Sequence, residues 1–220
     1  MSDENGYLIP IEGLGLKPLD GGDIEVLTRT SAYLPQIRVY GASNDVVKAG
    51  EFPMGHFGLY FSKDNLVDLT EQFDCLVIYA RPRACIIGGD TPVNFYDTST
   101  PEFKEVQAKA MSKQNQGFLC GLEYLTWIPS VSKFALLLMG NPTLRRESEK
   151  VKALIGKAAT LKIRFIKSKA GYSWHGATVM PCTTPMGNLP DTEDIKKELE
   201  KFNSPEDSKV ELAEEEERKR

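Results

Sequence analysis

The residues of this 220-residue chain best suited to chemistry are cations and aromatic rings rather than catalytic dyads. In ATLKIRFIKSKAGYSWHGATVMP, residues 159–181, Lys162 and Arg164 fall between Leu161, Ile163 and Phe165. A strand here has one apolar and one cationic face, and Lys167 joins the cationic face through a local irregularity. Lys169 lies in the turn that follows. Beyond it Tyr172 and Trp174 share one face, and His175, Ala177 and Val179 the other. If the latter set joins the core, Tyr172 and Trp174 stand beside Lys162 and Arg164. Such a surface neutralises phosphate with its cations and stacks unpaired bases on its rings, at about 1–3 kcal/mol per base. The competing expectation is that both rings point inward as ordinary core residues.

Two further groups extend this pattern. In Gln36–Tyr40, Ile37 and Val39 take one face, Arg38 and Tyr40 the other; in 55–61, Phe57, Leu59 and Phe61 alternate with His56 and Tyr60. Tyr40, His56 and Tyr60 would continue an aromatic platform, or keep their polar atoms wet at a rim. The run YARPRA sets Arg81 and Arg83 around Pro82, where a proline suggests a strand edge or bend. These two arginines are candidates for phosphate contact, although a salt bridge to Asp74 or Asp90 explains them equally well. Arg145 and Arg146, early in a helix, carry the same two readings, and near its N-terminus they add to an anion-attracting locus.

Enzymatic signatures are missing from the sequence: it has no G-x-x-x-x-G-K-[ST], G-x-S-x-G, H-E-x-x-H or G-x-G-x-x-G. Its two histidines, His56 and His175, have no cysteine or aspartate at ligand spacing, so neither a metal nor another cofactor is expected. The four cysteines form no C-x-x-C pair, and Cys75 and Cys85 lie in apolar runs as buried thiols. With no membrane-length apolar stretch and a polar start MSDENG, the expected location is a cytoplasm, with no membrane partner.

The elements that would carry these residues are mostly strands. Short strand-like runs cover 36–40, 55–61, 73–79, 84–87, 122–128, 133–139, 159–167 and 172–180. Helices are expected over Pro101–Gln114, from an Asn141 N-cap to a Gly156 stop, and over Thr192–Phe202. The Trp127–Phe134 and Lys167–Tyr172 connections read as hairpins. The expected fold is therefore mainly β with a few helices (α+β), an OB-like antiparallel β-barrel with elaborated loops. It comprises a flexible, irregular acidic arm (1–30), a β-rich nucleic-acid-binding domain (31–185), and a polar helix with an acidic tail (186–220). Charge divides along these lines. The formal net charge is −4, yet residues 29–190 hold 19 bases against 13 acids, and residues 133–175 hold ten bases against two acids.

The stretches YLPQIRVYGASNDVVKAGEFPMGHFGL, YARPRA, FALLLMGNPTLRRESEKVKALIGKAATLK and YSWHGATVMPC span 33–182. From roughly Tyr33 to Pro185 the chain resembles a group of bacteriophage-encoded proteins associated with single-stranded DNA binding. The resemblance implies an OB-like barrel that coats single strands during replication or recombination in the bacterial host, with phage or host replication and recombination proteins as further partners. It assigns no contact residues. The tail ends Glu217-Arg218-Lys219-Arg220 rather than in an aromatic or apolar residue, so the resemblance does not extend to tail-mediated recruitment. The expectation is thus a non-enzymatic, sequence-independent single-stranded DNA binder acting by phosphate neutralisation and base stacking. The alternative is a phage structural or assembly protein whose β-domain contacts its own copies as a homo-oligomer.

Overall fold

Among the described residues of this computed structural model (34–62, 65–88, 91–96, 98, 100–112 and 117–203), nine strands hydrogen-bond into one mixed sheet. The acidic arm over 1–30 and the tail beyond Asn203 lie outside the described residues. Strand β1 (Gln36–Tyr40) turns Ile37 inward and pairs antiparallel with β2 (His56–Ser62), which buries Phe57 and Leu59. β2 in turn pairs with β3 (Asn65–Thr70) through two register shifts. On its other side β1 runs parallel to β7 (Lys133–Leu138). The sheet continues through β6 (Phe118–Ile128), β4 (Gln72–Gly88), β8 (Lys157–Lys167) and β9 (Ser173–Pro181), all antiparallel. β5 (Thr91–Tyr96) folds back on the far end of β4.

The strand order β3-β2-β1-β7-β6-β4-β8-β9 leaves β3 and β9 as edges. The sheet is therefore open, where a closed barrel was expected. It nevertheless curls. Gly55, at φ +80°, lies so close to β9 that a Cβ there would come 3.1 Å from Nε2 of His175. The inner face of the curl buries Ile37, Phe57, Leu59, Val77, Tyr124, Leu137, Leu161 and Val179, each large apolar side chain contributing about 1.5–3 kcal/mol.

Helices complete both faces. In α3 (Pro142–Lys152) the Asn141 side chain caps the first turn by accepting from Leu144 N–H at 2.8 Å, and Leu144 and Val151 enter the inner core. α4 (Thr192–Asn203) lays Ile195, Leu199 and Phe202 on Leu76, Ile78 and Leu125 across the outer face, so this helix packs on the β-rich body. α2 (Pro101–Met111) packs Phe103, Val106 and Ala110 on Ala84 and Cys120. A short α1 (Asp45–Lys48) follows β1.

Because the central strands are covered on both sides, the apolar run around Cys75–Ile78 need not alternate. β4 also passes unbroken through Pro82, correcting the expected bend. Pro82 stands opposite Leu122, whose carbonyl accepts from Met139 N–H on the β7 side, so the proline nitrogen points away from β6. On its other flank β8 pairs residues 72–77 and β5 pairs 84–88, so no ladder bond is lost where the N–H is missing.

Candidate nucleic-acid interface

The β8–β9 hairpin changes character along its length. Its base is buried on both faces at Ala158, Ala159, Thr160 and Leu161, whereas Lys162, Arg164, Phe165 and Lys167 are exposed. The register runs without a shift through Lys162↔Thr178, Arg164↔Gly176, Ile166↔Trp174 and Lys167↔Ser173. Residues directly opposite share a face. One face therefore presents Lys162, Arg164, Ile166 and Trp174, and the other Leu161, Ile163, Phe165, Lys167, His175, Ala177 and Val179. Leu161, Ala177 and Val179 are buried, which places Trp174 beside Lys162 and Arg164 as the spacing suggested.

Two expectations need correction. The unbroken register leaves no irregularity to rotate Lys167, so it shares the Phe165 face instead of the Lys162 face. Tyr172 lies in the turn rather than on the strand, and is 75% exposed. Its carbonyl accepts from Ser168 N–H at 2.7 Å and its N–H donates to Ser168 Oγ at 3.0 Å, while Gly171 takes the φ of +87° that the reversal requires. Lys169 sits exposed in the same turn.

α3 fixes the pose of Trp174, which remains 40% exposed. Its indole N–H donates to Thr143 Oγ1 at 3.0 Å. Gly176 makes this approach possible, since a Cβ there would lie 2.5 Å from Thr143 Cγ2. One turn further along the helix, Glu147 accepts from the Val179 N–H at 3.2 Å, the Thr178 hydroxyl at 3.3 Å and Lys150 at 2.7 Å, which covers part of the β9 edge. Desolvation pushes the Glu147 carboxyl up, but these hydrogen bonds and the Lys150 charge outweigh it, and its pKa falls below the ordinary value.

Residues 157–181 contain five bases and no acid. Among the described residues, Lys162, Arg164, Lys167 and Lys169 have no carboxylate within 4.0 Å. The hairpin is thus an exposed cationic ribbon with aromatic side chains.

The other candidates divide. Arg38 and Tyr60 lie together, the guanidinium 3.6 Å from the ring centroid, so one face of Tyr60 is already covered. Arg38 also donates to Gln36 Oε1 at 2.8 Å. Both residues are half-buried. Tyr40 is buried rather than part of a platform: Gly58 makes room for its ring, which packs on Phe52 at 4.6 Å between centroids. His56 pairs with Asp68 at 2.9 Å. A cleft of about 410 Å³ brings Arg38, Asn44 and Asn141 to His175, which stands opposite Phe165 in the outer half of the hairpin.

Arg81 and Arg83 are only 1% exposed and are removed from the phosphate-contact set. Glu123, directly opposite Arg81, accepts from its Nε at 2.8 Å and lies 3.7 Å from Arg83 Nε. The Arg81 guanidinium stacks 3.7 Å from the Phe202 ring centroid and donates to the Phe202 carbonyl. Of the two expected counter-charges, Asp74 instead accepts from Thr160 at 2.5 Å, and Asp90 lies outside the described residues. Arg145 is similarly occupied, with Met111 Sδ and the Ala110 carbonyl.

Sequence reasoning missed three contributors: Phe165, Thr143 and Glu147. Phe165 was grouped with the core face but is 61% exposed. Lys167, two residues on along that face, was the signal that the strand leaves the core. Nothing local distinguished Thr143 or Glu147.

Burial holds the Cys75 thiol far above its ordinary range and pushes Cys85 up to about 12, which makes both poor nucleophiles. Among the described residues no group of three His, Cys, Asp or Glu side chains could hold a metal ion, and no helix is long and apolar enough to cross a membrane. Compared with protein-family models, curated proteins and solved structures, the chain matches none of them.

Proposed function

We propose that this chain binds single-stranded DNA without sequence preference, through the β8–β9 hairpin. The observation that carries this reading is Trp174, exposed yet held by Thr143, on one face with Lys162 and Arg164, neither of which has an ionic partner among the described residues. Stacking needs an unpaired base and reads no hydrogen-bond code, while the cations take phosphates of any sequence. The reading does not depend on a closed OB-like barrel. A setting in phage replication or recombination rests on the resemblance of the sequence alone.

A mobility shift with labelled single-stranded and duplex oligonucleotides over a salt series tests it. Single strands of unrelated sequence should bind alike and more tightly than duplex. Each phosphate neutralised should contribute about −0.7 to the slope of log affinity against log salt. Equal or tighter duplex binding overturns the reading. So does salt-insensitive association, the behaviour expected of an apolar contact between subunits of a structural protein.

A further inference from the structure

We propose that the β8–β9 hairpin is a two-sided finger whose ligand is a DNA fork, each face taking one of the two diverging single strands. The proposal rests on the single-strand reading above and specifies its substrate.

The inner face of the hairpin belongs to the core only as far as Leu161, Ala177 and Val179, with Ile163 half-buried at the boundary. From Ile163 to Lys167 the ribbon runs on for about 13 Å, at roughly 3.3 Å per residue. Over that length each face still carries exposed side chains, although Thr143 packs on Gly176 on one side and His175 is half-buried beside Gly55 on the other. The outer face presents Trp174 with Lys162 and Arg164; the inner face presents Phe165, 61% exposed, with Lys167. The turn between them carries Tyr172, 75% exposed, and Lys169.

Each face thus pairs an accessible aromatic ring with a cation, the combination that holds one unpaired strand. A ribbon serving one strand needs this on one face only. The charge fits a nucleic acid on both sides, since no acid occurs anywhere in 157–181. At a fork the two strands separate around such a finger, and the turn, with Tyr172 at its tip, meets the last base pair. The His175 ring lies 5.3 Å from that of Phe165 and steadies it from the neighbouring strand.

The test compares three DNAs sharing one duplex: blunt, with one single-stranded arm, and forked with two arms. The forked form should bind about tenfold more tightly than the one-armed form, the gain expected from one additional stacked base. Phe165→Ala should abolish that gain and leave one-armed affinity within about twofold, while Phe165→Tyr restores it. Trp174→Ala should weaken both. Melting curves establish that the variants fold, as expected for an exposed ring.

Equal affinity of the wild-type protein for forked and one-armed DNA overturns the two-sided finger while single-strand binding stands. A fork preference that survives Phe165→Ala does the same. Equal weakening of all single-stranded ligands by Phe165→Ala makes Phe165 part of one continuous path and also overturns it. If sedimentation shows that Phe165→Ala turns a dimer into a monomer, the residue belongs to a self-contact and the proposal is lost. Wild-type protein that binds neither plain single strands nor one-armed DNA sinks the underlying reading as well.

Discussion

Two segments of this chain carry basic residues at alternate positions beside aromatic side chains, and the fold uses them in opposite ways. In YARPRA, Arg81 and Arg83 stand on a central strand, with Glu123 across from Arg81 and the last turn of α4 laid over Arg81. In the hairpin, Lys162 and Arg164 stand on the penultimate strand, opposite Thr178 and Gly176, with no acid across the ladder. The cation type does not decide between these outcomes; the residue across the ladder and the depth of the strand in the sheet do. Desolvating a guanidinium is costly unless its donors are met, and Glu123, the Phe202 carbonyl and the Phe202 ring supply those contacts for Arg81.

The sharpest way to break this comparison is to remove one charge from each segment. Glu123→Gln takes the Glu123 charge away from two buried arginines, and breaking a buried pair in this way costs about 3–5 kcal/mol. The melting temperature should fall by about 10 °C for a chain of this size. Any protein that remains folded should still bind single strands. Arg164→Gln should do the reverse, with little change in melting temperature and a salt slope shallower by about 0.7. A Glu123→Gln protein as stable as wild type would mean that the buried cluster is solvated or otherwise compensated.

A smaller effect separates binding from packing within the hairpin itself. Trp174→Ala should weaken single-strand binding by about 1–3 kcal/mol and shift melting by no more than a few degrees. Trp127 donates its indole N–H to the Asn188 carbonyl and packs on Phe134 at 4.8 Å, so it adds an independent fluorescence signal. In a Trp127→Phe background the remaining emission reports Trp174 alone and should quench on titration with an oligonucleotide. Unfolding of Trp174→Ala would instead make the ring a structural element.

How far the sequence disclosed this arrangement depends on the range of the interaction. The Asn141 cap, the two hairpins and the apolar stripes of α2 and α3 are set by neighbours a few residues apart, and all were readable. Alternation set Trp174 on the face opposite to Ala177 and Val179, but which face meets the core was not legible; the burial of Ala177 and Val179 decides it. β3, with Asp68 inside it, and β5, with Pro92 at a register shift, lack the apolar signature of a strand and were missed. The split at Pro82 was misleading because a proline costs nothing where no neighbouring strand needs its N–H. Longer-range facts were not legible: the open sheet, the room that Gly58 makes for Tyr40, and the partner of Arg81, 42 residues away.

The smallest expected effect concerns how firmly the exposed ribbon is joined to the body, and Glu147 is the group that tests it. Its carboxylate accepts from the β9 backbone at Val179, from Thr178 and from Lys150, while Thr143, one turn earlier, holds Trp174. Because the Glu147 pKa is lowered in the folded protein, the unfolded chain binds its proton more readily. Its contribution to stability is therefore complete above the ordinary carboxylate value and is lost as pH falls through the folded value. Wild type should melt above Glu147→Gln at neutral pH, and the gap should close on acidification below the ordinary carboxylate range. A gap that stays constant to low pH would show that the carboxylate charge does not hold α3 to β9. If the gap closes and single-strand affinity at neutral pH is also weaker in Glu147→Gln, the pose of Trp174 depends on that same helix contact. The exposed segment would then owe its binding geometry to a partly buried charge, much as the central segment owes its stability to one.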